Sequence, residues 1–151
     1  MSRQTYIFGF GSLMNEESLQ KTLPNKKITS WAILKGYRRA FNKAGRKKHR
    51  YLNLKPAPTA QVKGVLIRVT QDELEELKHR EEGYDLVDVT GQVETKPSDD
   101  AVIYAFIAPP FSELKVSGKY LQTMLAALPL GEREQWLRET DFDGAEVDEE
   151  N

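Results

Sequence analysis

Two short stretches of this chain carry residues with chemistry to offer. One is Tyr6-Ile7-Phe8-Gly9-Phe10-Gly11-Ser12-Leu13-Met14; the other is Arg80-Glu81-Glu82-Gly83-Tyr84-Asp85. In the first, an apolar run ends in two glycines and a serine. A glycine at a strand end permits torsions and close approaches that a β-carbon forbids. The N–H groups that follow can then line a turn that holds a carboxylate or a carbonyl oxygen. The same residues also suit an ordinary glycine-rich turn leaving a buried strand. In the second stretch, adjacent helical residues point in different directions, so at most one of Glu81 and Glu82 faces a given pocket. Two surface carboxylates at a helix end also satisfy the pattern. A carboxyl in a partly apolar pocket instead has a raised pKa and serves as a general base near neutral pH.

The elements that must position these groups follow from periodicity and punctuation. Tyr6-Ile7-Phe8 reads as a strand. Asn15 to Leu23 reads as a short helix, with Asn15 as N-cap, Glu16 and Glu17 in the first turn and Pro24 as the stop. Ile28 to Asn42 is expected to be extended, with Gly36 at a bulge or bend. Ala44 to Arg50 is a basic loop, and Tyr51 to Leu54 a strand ended by Pro56 and Pro58. Val62 to Val69 is the clearest strand. Thr70 then starts a helix with Glu73 placed for a capping box and Leu74 and Leu77 as its apolar stripe, stopping near Gly83. Strands are expected over Tyr84 to Val93 and Ala101 to Ile107, and helices over Lys119 to Leu128 and Gly131 to Thr140. Strands dominate and their order is not a regular βαβα alternation, which predicts an α+β domain on a mixed or antiparallel sheet.

Composition narrows the function classes. A chain of 151 residues suits one domain; residues 1–140 are expected to form it, with 141–151 an acidic, disordered tail. Hydrophobic content of 39% and charged content of 30% are ordinary for a soluble protein. No apolar run approaches the roughly 18–20 residues of a membrane span, and no leader pattern opens the chain. Cysteine is absent, which removes disulfides, Cys-type zinc sites and thiol nucleophiles and fits a cytoplasmic location. With only His49 and His79 present, a His-based metal site or a Ser–His–Asp triad is poorly supported. The net charge is −1, yet no acidic residue occurs from Lys26 to Gln71. Within that span, Lys35 to Arg50 is strongly basic, a solvated face or an anion-binding surface.

Taken in order, these motifs resemble the γ-glutamylcyclotransferase superfamily, with its AIG2-like and ChaC-like members. Phe8-Gly9-Phe10-Gly11-Ser12-Leu13 is similar to its Tyr-Gly-Ser-Leu/Asn signature. Leu77-Lys78-His79-Arg80-Glu81-Glu82-Gly83-Tyr84 resembles its later motif, in which an Arg-Glu pair precedes a Gly-Tyr. Lys35-Gly36-Tyr37-Arg38-Arg39, Val62-Lys63-Gly64-Val65-Leu66 and Ser117-Gly118-Lys119-Tyr120-Leu121 match in style and order. The resemblance spans about residues 5–140. It implies a small mixed β-barrel with peripheral helices and a cofactor-free, metal-free reaction: a γ-glutamyl group closes to 5-oxoproline and expels an amine or peptide. Glutathione, a γ-glutamyl amino acid or a γ-glutamylamine would be the substrate.

By that resemblance Glu81 is the base, with Glu82 the runner-up, and Phe10, Gly11, Ser12, Leu13 and Tyr120 bind substrate. Two positions depart from the pattern. Phe10 stands where the signature has tyrosine, and Lys78 where an aspartate often follows the leucine. The same fold without catalysis would be a small-ligand-binding module. The basic 35–50 span alternatively suggests a nucleic-acid binder, although no nucleic acid and no membrane partner are expected.

Overall fold

Apolar runs set the strands, and the long-range pairing of those strands sets the fold. The computed structural model describes residues 4–44, 49–110, 115–142 and 144–148. Its strands are β1 (Gln4–Gly9), β2 (Ser30–Ala44), β3 (His49–Val69), β4 (Asp85–Asp88), β5 (Ala101–Ile107), β6 (Lys115–Ser117) and β7 (Val147–Asp148). Its α-helices are α1 (Glu16–Gln20), α2 (Gln71–Arg80), α3 (Gly118–Ala126) and α4 (Arg133–Glu139). The strands form one mixed sheet in the order β4-β5-β1-β3-β6-β7, with β2 paired to β3. β1 runs antiparallel to β3 and parallel to β5.

The expected α+β class with a mixed sheet is what the chain adopts. The sheet is not closed into a barrel. It ends at β4 and β7, strands of four and two residues, too short to form the continuous staggered ladder that closure requires.

The longest surprise is β3, which does not stop at Pro56 and Pro58. It continues because those prolines fall where its ladder with β2 is interrupted. The register passes from Tyr37↔Pro56 to Lys35↔Gln61, so the missing proline N–H groups lose no partner. Gly36, at that shift, has φ +86°, the bend expected from its sequence. The strand expected over Tyr84 to Val93 is real only as β4; a 3-10 turn at Thr90–Gln92 follows it.

The helices begin as their caps dictate. The Asn15 side chain accepts from the Ser18 N–H at 3.1 Å. Thr70 and Glu73 form the reciprocal capping box of α2, and Lys26 adds an ion pair to Glu73 at 2.8 Å. Caps of this type contribute about 1 kcal/mol each. Leu74 and Leu77 of α2 are buried, in one core with β1, β3 and β5.

Part of the acidic segment after Thr140 is paired rather than loose. The Phe41 N–H donates to the Asp141 carbonyl at 2.8 Å, the Val116 N–H donates to the Glu146 carbonyl at 2.8 Å, and β7 pairs with β6. His49 meets Asp148 at 2.8 Å, and Lys55 pairs with Asp141. Within the basic span Lys35 pairs with Glu94 at 3.9 Å and Arg39 with Glu139 at 3.6 Å, so its charge is partly neutralised within the fold, and Arg39 and Arg50 are buried. Residues 45–48 of the basic loop lie outside the described residues.

Candidate active site

β1 delivers Phe8, Gly9 and Phe10 to the foot of the pocket, and the chain then turns sharply. The Met14 N–H donates to the Gly11 carbonyl at 2.9 Å, and the Asn15 N–H to Ser12 at 3.1 Å, forming the 3-10 turn Ser12–Met14. Gly11 has to be glycine: a β-carbon there would lie 2.9 Å from the Tyr120 hydroxyl. Across the pocket, α2 ends at Arg80, and Glu81 is its C-cap. Leu77 is fully buried, and the residue four positions later lies on the same helical face. Glu81 consequently turns inward, with 15% of its side chain exposed. Glu82 is exposed and does not line the pocket.

The result is a small concavity lined by the 8–13 stretch, Leu52, Glu81, Tyr84, Phe106 and Tyr120. It brings together Phe10, Gly11, Ser12, Leu13, Glu81 and Tyr120, and leaves Glu82 outside. Among the described residues, no cluster of three His, Asp or Glu side chains is placed to hold a metal ion. Burial raises the Glu81 pKa, and the nearby Arg80 and Lys43 charges pull it partway back.

Two tyrosines wall the pocket. Tyr120 sits in the first turn of α3, whose N-cap Ser117 accepts from the Tyr120 N–H at 3.2 Å. Its ring packs edge-on to Tyr51, 4.7 Å between centroids. The Ser12 and Leu52 backbones hydrogen-bond its hydroxyl, while burial and the Glu81 charge raise its pKa. Tyr84 donates its hydroxyl to the Leu52 carbonyl at 2.5 Å, and burial holds its pKa well above the usual value as well. Both phenols keep their protons at neutral pH.

Arg80 joins the three parts of the site. Its Nη2 donates to Ser12 Oγ at 2.9 Å and Ser18 Oγ at 2.8 Å. Its Nη1 donates to the Ser18 carbonyl at 2.7 Å and Thr22 Oγ1 at 3.2 Å. Its Nε lies 3.6 Å from Glu81 Oε1. Sequence reading quoted Arg80 and Tyr84 as part of a motif without a role in the site, and it gave Leu52 and Phe106 no role there. Tyr84 had a signal, since it follows Gly83 in the same motif. Leu52 and Phe106 had none, because their strands reach the pocket only through long-range pairing.

The family model described as gamma-glutamyl cyclotransferase, AIG2-like, matches residues 7–123. The chain belongs to this family. Both the glycine turn and Glu81 fall within the matched region, as does Tyr120. The fold is shared by solved structures at low identity. A gamma-glutamyl cyclotransferase superimposes with a TM-score of 0.75 at 17% identity, covering 97% of this chain and 94% of that one. An uncharacterized human protein gives 0.75 at 18% identity, covering 98% and 95%. A yeast gamma-glutamyl cyclotransferase specific to glutathione gives 0.50 at 16% identity, covering 91% and 88%. No curated protein matches the chain in sequence. No helix among the described residues is long and apolar enough to cross a membrane.

Proposed function

We propose that this member of the AIG2-like family is an active γ-glutamyl cyclotransferase with Glu81 as its base. The observation that carries the reading is the placement of Glu81, the one carboxylate among the described lining residues, across a small and largely apolar pocket from the glycine turn. Its raised pKa suits a group that must take a proton and give it back.

In this reading the γ-glutamyl head enters the pocket folded, with its α-ammonium at Glu81. The carboxylate takes one proton, and the neutral nitrogen attacks the γ-carbonyl carbon. The new C–N bond closes a five-membered ring, and charge develops on the carbonyl oxygen. The Tyr120 phenol, held by the Ser12 and Leu52 backbones, and the N–H groups of the Gly11–Leu13 turn supply donors for that oxygen. The C–N bond to the leaving amine then breaks as Glu81 returns its proton to that nitrogen, and the freed carboxylate takes the second proton from the ring nitrogen and passes it to the departing amine. The products are 5-oxoproline and the amine as its ammonium ion, with Glu81 restored. Because the attack is intramolecular, the pocket's small volume contributes by holding the head in the closing geometry.

The test is 5-oxoproline release, followed by mass spectrometry, from glutathione, γ-glutamyl-alanine and γ-glutamyl-lysine. Wild type is run beside Glu81→Gln and Glu82→Gln. Release that only Glu81→Gln abolishes is the expected result. Loss in Glu82→Gln alone moves the base by one residue. Folded wild-type protein that releases nothing makes the chain a ligand-binding module on the same fold.

A further inference from the structure

The pocket is small and opens to solvent on one side, so the leaving group of a γ-glutamyl substrate seated in it extends past the rim. Most of the wall offers no exit: Phe8, Phe10, Leu13, Leu52 and Phe106 are buried. The partly exposed lining residues are Ser12, Glu81, Tyr84 and Tyr120. The Ser12 flank is closed by Arg80, which ties Ser12 to Ser18 and Thr22. What remains open is the side bounded by Glu81, Tyr84 and Tyr120.

That side leads to Lys43. Its Nζ stands 4.8 Å from the centroid of the Tyr84 ring and donates to the Glu82 carbonyl at 3.3 Å. A β-carbon on Gly83, where φ is +91°, would lie 2.9 Å from the same nitrogen. On β2, Lys43 lies opposite Tyr51 of β3, and the Tyr51 ring packs on Tyr120. Lys43 does not line the pocket itself; it stands just outside, against the Tyr84 ring and opposite the tyrosine that packs on Tyr120. The carboxylates of the same turn, Glu82 and Asp85, are exposed to solvent, where water and salt screen them.

We propose that Lys43 is a specificity-determining residue that pairs with a carboxylate on the departing amine. The enzyme then prefers γ-glutamyl amino acids and peptides whose leaving group bears a carboxylate near the scissile bond over γ-glutamylamines that lack one. This rests on the cyclotransferase reading above. A charge-assisted pair at a partly desolvated rim gives discrimination of roughly tenfold or more in kcat/KM.

The test compares γ-glutamyl-alanine with γ-glutamyl-ethylamine, which differ only by that carboxylate. The readout is the ratio of their kcat/KM values in wild type, Lys43→Met and Lys43→Arg. Lys43 also acts on the Glu81 charge, but that influence is common to both substrates and cancels in the ratio. The expected result is a wild-type ratio of roughly ten or more, a ratio near one in Lys43→Met, and substantial recovery in Lys43→Arg. A wild-type ratio near one overturns the proposal without any variant. So does a Lys43→Met enzyme that loses both substrates equally, which would assign Lys43 to the γ-glutamyl head. Release of 5-oxoproline from neither substrate overturns the cyclotransferase reading and this one with it.

Discussion

Two concavities of this molecule treat buried charge in opposite ways. The pocket between the glycine turn and Glu81 is small and mostly apolar. A second, larger cleft lies between β2, β3 and α4 and holds Trp31, Arg39, Lys63, Glu132, Trp136 and Glu139. The larger cleft is richer in charge, but its charges are matched. Arg39 Nη2 lies 3.6 Å from Glu139, and Lys63 pairs with Glu132. The Arg39 guanidinium also sits 4.9 Å over the Trp136 ring. Burial lowers the Arg39 pKa to about 10, against the pull of Glu139, so Arg39 stays charged at neutral pH. The same desolvation raises Glu81, toward the pH at which proton transfer is useful. The proposed reacting site is distinguished by a carboxyl whose pKa burial raises, not by size or by the number of polar groups.

The sharpest way to break that contrast is to neutralise one carboxylate in each region. Glu81→Gln is expected to lower kcat by about 10²–10⁴-fold, the usual contribution of a general base. Glu139→Gln should leave 5-oxoproline release of the folded protein within about twofold of wild type, since Glu139 lines the other cleft and not the pocket. Comparable losses in both variants would erase the distinction.

Positioning comes next. Arg80→Met removes the donors shared by Ser12, Ser18 and Thr22. We expect kcat to fall roughly tenfold and stability by about 1–3 kcal/mol. Arg39→Met should cost a similar amount of stability, by removing the donors to the Thr140 hydroxyl (2.9 Å from Arg39 Nε) and the Trp136 carbonyl, which keep only each other as partners, with kcat of the folded protein unchanged. Urea melts and initial rates on the same preparations separate the two outcomes.

The pH dependence gives a finer comparison. A carboxyl whose pKa is raised by folding binds its proton more tightly in the folded state. The fold therefore loses stability as pH rises from the ordinary carboxylate range through the raised Glu81 value. Glu81→Gln escapes that loss, so it should melt at or above the wild-type temperature at neutral pH, and the difference should vanish below about pH 4. Activity follows the opposite sense: wild-type kcat/KM rises as Glu81 ionises, with a midpoint above the ordinary carboxylate range. A wild-type midpoint inside the ordinary range would remove the raised pKa from the account.

The smallest effect expected is Ser117→Ala, which removes the cap of the helix that presents Tyr120. It should cost about 1 kcal/mol of stability and change kcat only slightly, measured by thermal melts beside the turnover assay.

Local features of the chain were legible because each is specified within one turn or one strand. The Asn15 cap and the Thr70–Glu73 capping box depend on residues three apart, and the Gly36 bend on a single residue. The open edges of the sheet, the passage of β3 through Pro56 and Pro58, and the pairing of residues 141–148 were not legible. Each depends on which strand lies alongside, which no local pattern encodes.

The candidate site divides in the same way. The sequence by itself determined that at most one of Glu81 and Glu82 faces the pocket, and the resemblance favoured Glu81, which the structure places on the buried face of Leu77 because a helix returns to the same side after four residues. It also determined that Gly11 carries no side chain where the chain turns. Only the tertiary structure decided what these groups meet. Arg80 and Ser12 are 68 residues apart in the chain yet bonded. Tyr120 fills the space above Gly11, and burial raises the Glu81 pKa. Spacing along a helix is fixed by backbone geometry, whereas a pKa depends on how much water every other segment of the chain has removed.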